Sequence, residues 1–119
     1  MSYDISFRVQ VGNTEQFIDI GMCDANITWN VREMICKSTG LEWNNEANNG
    51  PCNEIMPKIQ YGLNQLTNYP NKYKQYEAEN GWGPIEGCKR FFKTILDDWH
   101  ECEEKYGPEV CRWITFWIT

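Results

Sequence analysis

Histidine is almost missing from this chain: among 119 residues only His100 is one. Histidine is the commonest base for making a thiolate or moving a proton near neutral pH, so its scarcity removes the usual partner of a nucleophilic cysteine. Close cysteine pairs are missing too. Cys23, Cys36, Cys52, Cys88, Cys102 and Cys111 never fall two to four residues apart, the spacing from which zinc sites are built. His100 and Cys102 would sit about 200° apart around a helix. No metal and no cofactor is therefore expected. There is no basic surplus either. Lys+Arg number 11 against 17 Asp+Glu, a net charge of −6, which argues against direct binding of nucleic acid or an anionic membrane and allows a partner with a basic surface.

Other absences narrow the function. No run approaches the ~18 apolar residues of a membrane span, and the start Met1-Ser2-Tyr3-Asp4-Ile5-Ser6 lacks the basic and apolar regions of a secretory signal. A cytosolic protein with reduced, buried thiols is expected. Gly81, Gly83 and Gly87 follow no strand and lack the lysine of a phosphate-cradling loop. No pair among the seventeen carboxylates stands out as a hydrolytic couple. The chain is expected not to be an enzyme.

What is present is a core. With 41% hydrophobic and 14% aromatic residues, residues 1–119 suffice for a single domain that buries roughly two-thirds of its unfolded surface. Tyr3, Ile5, Phe7, Val9 and Val11 alternate with Asp4, Ser6, Arg8 and Gln10, the period of a half-buried strand. Gly12-Asn13-Thr14 turns the chain, and Gln16 to Ile20 returns as the second strand of a hairpin. Ile27, Val31 and Ile35, with Asn26 as N-cap and Gly40 as stop, predict a short helix. Leu41 to Pro51, rich in asparagine, predicts a mobile loop.

Ile55, Ile59, Leu63 and Leu66 mark a second helix with Pro57 in its first turn. Gly62 either weakens that helix or admits a close neighbour. Pro70 opens a third, shorter helix carrying Tyr69, Tyr73 and Tyr76 on one side. The longest runs from about Pro84 to Tyr106 through Ile85, Cys88, Phe92, Ile95, Trp99 and Cys102, stopped by Gly107-Pro108. Val110 to Ile118 closes as a strand. The fold class is α+β: about three antiparallel strands, with the last pairing to the hairpin, and three to four helices on one face.

Three groups are candidate sites. If Ile114, Phe116 and Ile118 face the helices, Trp113, Thr115 and Trp117 emerge on the other side of the sheet as an aromatic patch of the kind that marks an interface. Asp97, Asp98, Glu101 and Glu104 form an acidic helix face, which reads as a solvated surface or as a mimic of a polyanion. Trp29 and Asn30, with Asn80 and Trp82, join side-chain amides to indoles beside helix starts. They either cap and pack or line a pocket for a planar or anionic ligand.

Met1-Ser2-Tyr3-Asp4-Ile5, Asn26-Ile27-Thr28-Trp29-Asn30, Ile55-Met56-Pro57 with Leu63-x-x-Leu66, and Asn80-Gly81-Trp82-Gly83 together resemble a group of small proteins carried by bacteriophages and prophages. The likeness spans most of the chain, while the cysteine richness and the Trp-bearing last strand depart from the group. The resemblance implies an accessory phage protein acting in the host cytoplasm, and carries over no catalytic residue. The expected function is a binding protein that occludes one host protein, such as a CRISPR effector or another defence enzyme; a homodimer is allowed. The alternatives are a sponge for a small nucleotide-like signal and a small enzyme with an unrecognised site.

Overall fold

The first strand organises the molecule. In the computed structural model, which describes residues 2–77 and 84–119, strand β1 (Ser2–Gln10) buries Tyr3, Ile5 and Phe7 on one side, as its alternation requires. Along one edge it pairs antiparallel with β5 (Ile114–Ile118), from Ile5 opposite Ile118 to Val9 opposite Ile114. Along the other edge two short strands follow one another: β3 (Asn26–Thr28) opposite Ser2–Asp4 and β2 (Phe17–Asp19) opposite Arg8–Gln10. Beyond β5 lies β4 (Ala47–Pro51), giving the order β2-β1-β5-β4 with β3 beside β1.

The class is α+β, but the antiparallel sheet has five strands rather than three. Both additions come from segments whose local pattern points elsewhere. Asn26 caps no helix. Its side-chain amide donates to the Asp4 carboxylate and to Ser2 Oγ across the β1–β3 pair, and Ile27 is buried opposite Tyr3. Helix α1 (Arg32–Thr39) starts only after a 3-10 turn at Trp29–Val31. In the asparagine-rich stretch, side-chain amides do the work of a turn. Asn49 donates to the Asn44 and Ala47 carbonyls, both at 2.9 Å, and the Asn48 Oδ1 accepts the Gly50 N–H at 2.9 Å. Backbone pairing then adds β4 at the edge, with an irregular register between Asn48 and Pro51.

Helices α1, α2 (Cys52–Asn68), α3 (Pro70–Tyr73) and α4 (Ile85–Cys111) complete the chain. Pro57 is the sixth residue of α2, not in its first turn. It forfeits one helical bond to Asn53, but both residues are exposed and water can serve that carbonyl. Gly62 is buried where α2 crosses α1 and α4. A Cβ there would lie 2.5 Å from Thr39 Cγ2 and 3.1 Å from Phe92 Cε2. Helix α4 breaks at Gly107, whose φ of 75° is left-handed, and a last turn from Pro108 feeds β5.

The core lies between the inner sheet face and the helices. Trp43, invisible as a core residue inside its polar segment, is fully buried against Tyr3, Phe91 and Phe116, with centroids 5.8 to 6.0 Å apart. Phe7 meets Trp99 of α4 edge-on at 5.5 Å. Each such ring contributes about 1.5–3 kcal/mol by leaving water.

Candidate functional site

Strand alternation splits β5. Ile114, Phe116 and Ile118 point into the core with no exposure, while Thr115 and Trp117 emerge half-buried on the far face. Cross-strand register sets Ser6 beside Trp117 and Arg8 beside Thr115, and these neighbours lock together. Trp117 Nε1 donates to Thr115 Oγ1 at 2.9 Å, and that hydroxyl donates to the Arg8 carbonyl at 2.8 Å. The Arg8 guanidinium lies 4.7 Å from the Trp117 ring centre and its Nε donates to Ser6 Oγ at 2.9 Å. Phe17, from β2, packs at 5.1 Å on the same indole. Phe17, Trp117 and Arg8 thus form a preorganised stack, under which Ser6 is only 6% exposed.

Trp113 stands just before β5 and is 68% exposed, with the Arg112 guanidinium 5.3 Å from its ring centre. Between Trp113 and Phe17 the surface sinks into a depression of about 620 Å³, also lined by Gln10, Asn13, Asn48 and Arg112. Among the described residues no carboxylate lines it. Among the described residues, the remaining side chains of this sheet face are exposed or half-buried, so the helices cover only the other face.

The acidic group belongs to the helical layer. Asp97, Glu101 and Glu104 are exposed on α4, and Glu104 Oε1 lies 3.2 Å from His100 Nε2 in a solvent-facing pair. Asp98 is half-buried beside the Cys23 thiol. Desolvation raises its pKa, the Cys23 hydrogen bond opposes that shift, and Glu101, Asp24 and Asp97 reinforce it. The acidic and aromatic candidates are therefore separate surfaces of opposite chemistry.

The third group is divided. Trp29 packs 5.9 Å from Tyr3 and donates its Nε1–H to the Ser2 carbonyl at 2.9 Å, an anchoring arrangement, while Asn30 is exposed in the 3-10 turn. Asn80 and Trp82 lie outside the described residues. A smaller hollow of about 510 Å³ separates β3 from the start of α4, with Asp24, Asn26 and Arg90 in its lining.

Burial governs the thiols. Cys52 faces Cys102, Cys23 and Cys111 in the interior, and Cys111 Sγ donates to the Cys102 carbonyl at 3.6 Å. Desolvation pushes the Cys23, Cys88 and Cys102 thiols up to about 12 and Cys52 higher still. These groups are protonated at neutral pH, the wrong state for a nucleophile or ligand. Among the described residues no three His, Cys, Asp or Glu side chains are disposed to hold a metal ion.

Arg8, Phe17 and Arg112 are the members of the sheet-face site that sequence reasoning missed. The signal for Arg8 was its place on the polar side of β1, but only the β1–β5 register brings it to Trp117. Comparison with protein-family models, curated proteins and solved structures found no match to this chain.

Proposed function

We propose that this chain is a non-enzymatic binding protein that acts by covering a partner protein with its open sheet face. The observation that carries the reading is the one-sided sheet: helices roof one face, and the other presents Trp113, the Phe17–Trp117–Arg8 stack and Thr115 to solvent. Large aromatics next to arginine are the groups that dominate interface energetics, and a rigid stack loses little side-chain freedom on docking. Buried thiols with raised pKa values and a solvent-facing His100 support a role without a chemical step. The setting is the one that the resemblance implies, an accessory phage protein acting in the host cytoplasm, and the partner that this reading assigns to it is a host defence protein such as a CRISPR effector. The acidic stripe of Asp97, Glu101 and Glu104 offers a secondary contact for a partner with a basic surface.

The test is co-purification from a bacterial host, quantified for wild type and for Trp113→Ala combined with Trp117→Ala. Loss of an interface anchor costs about 2–4 kcal/mol, so the variant should lose at least thirtyfold in affinity while keeping its circular dichroism spectrum. A complex that survives the double substitution intact would sink the reading, as would substrate turnover abolished by replacing one cysteine or carboxylate.

A further inference from the structure

The depression beside Trp113 has a chemistry of its own. Its volume of about 620 Å³ lies within the ~300–1,000 Å³ range of small-molecule sites. Two aromatic side chains, Trp113 and Phe17, line it, and each offers a stacking surface. Three side-chain amides, Gln10, Asn13 and Asn48, supply paired donors and acceptors. Gln10 uses one N–H on the Thr14 carbonyl, and Asn48 uses its Oδ1 on the Gly50 N–H, so each retains the complementary polar atom.

Among the described residues, Arg112 is the only charged one in the lining. Its ion pair with Glu109 Oε2 at 3.2 Å is solvent-exposed and therefore weak, so the guanidinium can exchange partners while remaining beside Trp113. A cationic, aromatic hollow, with no carboxylate in its lining among the described residues, on a chain of net charge −6 selects a small anion with a flat ring. A long polyanion would meet repulsion from the rest of the surface.

We infer that this depression binds a free mononucleotide, with the base against Trp113 and Phe17, its edge read by the amides, and the phosphate on Arg112. Arginine matches phosphate geometry through parallel N–H donors, and base–aromatic stacking is strong and tolerant of base identity. The inference stands apart from occlusion, because the site is complete in the free protein.

The experiment titrates the full chain with AMP, GMP, CMP and UMP, following tryptophan fluorescence and thermal unfolding. Adenosine, inorganic phosphate and an eight-nucleotide single strand are run alongside. At least one monophosphate should bind about tenfold or more tightly than its nucleoside and than phosphate alone. Trp113→Ala and Arg112→Gln should each weaken it about ten- to hundredfold, and Arg112→Gln should bring nucleotide and nucleoside to equal affinity. Both residues are exposed, so the variants should unfold at the wild-type temperature. Glu109→Gln should tighten binding by releasing the guanidinium. No binding of any monophosphate at millimolar concentration, binding that persists in Trp113→Ala, or a preference for the single strand would each overturn the proposal. A negative panel leaves the occlusion reading standing.

Discussion

Replacing Gly62 with alanine pits two opposing effects against each other at one atom. In an exposed helix interior, Gly→Ala stabilises by about 1 kcal/mol, because the backbone has less freedom to lose. At Gly62 the added methyl would lie 2.5 Å from Thr39 Cγ2, 3.1 Å from Phe92 Cε2 and 3.3 Å from Ser38 Oγ. Thr39 cannot simply turn away. Its β-branched side chain is stiff, its hydroxyl donates to the Ile35 carbonyl at 2.6 Å, and the same oxygen accepts the Leu41 N–H at 3.1 Å. Phe92 is buried with no exposure. Relief must come from moving α2 away from α1 and α4, and such overpacking costs about 1–3 kcal/mol.

With the propensity gain subtracted, Gly62→Ala should destabilise by up to about 2 kcal/mol, a fall of up to roughly 10 °C in Tm. Denaturant unfolding of Gly62→Ala, Thr39→Ser and the double variant isolates the cause. Thr39→Ser removes the clashing methyl and keeps the hydroxyl, so in that background the alanine should cost about 1 kcal/mol less. A Gly62→Ala protein more stable than wild type, or equal effects in both backgrounds, would refute the close crossing of the helices.

The buried thiols make stability fall in alkali. Cys23, Cys88 and Cys102 hold their protons to about 12 in the folded chain, against an ordinary value of 9.0. Stability is therefore full below pH 9 and declines above it, as the unfolded chain alone ionises. At pH 10 each thiol should cost about 1.4 kcal/mol, or ~4 kcal/mol for the three, and in denaturant titrations under reducing conditions the drop from pH 8 to pH 10 should shrink by about 1.4 kcal/mol in Cys88→Ala. An unchanged drop would deny the desolvation of Cys88. Native protein treated with Ellman's reagent should release one equivalent quickly, from half-buried Cys36, and the other five, all buried, only on unfolding. Trp43 carries a buried Nε1–H with no partner among the described residues, so Trp43→Phe should stay within about 1 kcal/mol of wild type, the recovered polar penalty offsetting the lost volume, whereas Trp43→Ala should cost about 3–5 kcal/mol. Urea midpoints for the two variants would separate these cases.

Periodicity by itself determined the elements whose neighbours repeat along the chain: β1, the β1–β2 hairpin, β5 from Ile114 onward, the apolar stripes of α2 and α4, and the break at Gly107; Val110–Trp113, read as the start of the last strand, instead forms the end of α4 and a turn. Those patterns are local, because a side chain's direction follows from its position in a strand or helix. The same logic put Thr115 and Trp117 on the sheet face away from the core. Tertiary pairing decided the rest. Asn26-Ile27-Thr28 has spacing suited to a helix, yet the exposed edge of β1 offered it backbone partners and Asp4 offered its amide a carboxylate. Ala47–Pro51 has no strand pattern at all, and became one because β5 had a free edge while asparagine side chains closed the turn. Trp43 entered the core from a polar segment for the same reason, since burial is set by what surrounds a residue in space. The Phe17–Trp117–Arg8 stack and the hollow beside Trp113 join the two ends of the chain. Their members are brought together only by the register of β1 against β2 and β5, which no run of neighbouring residues encodes.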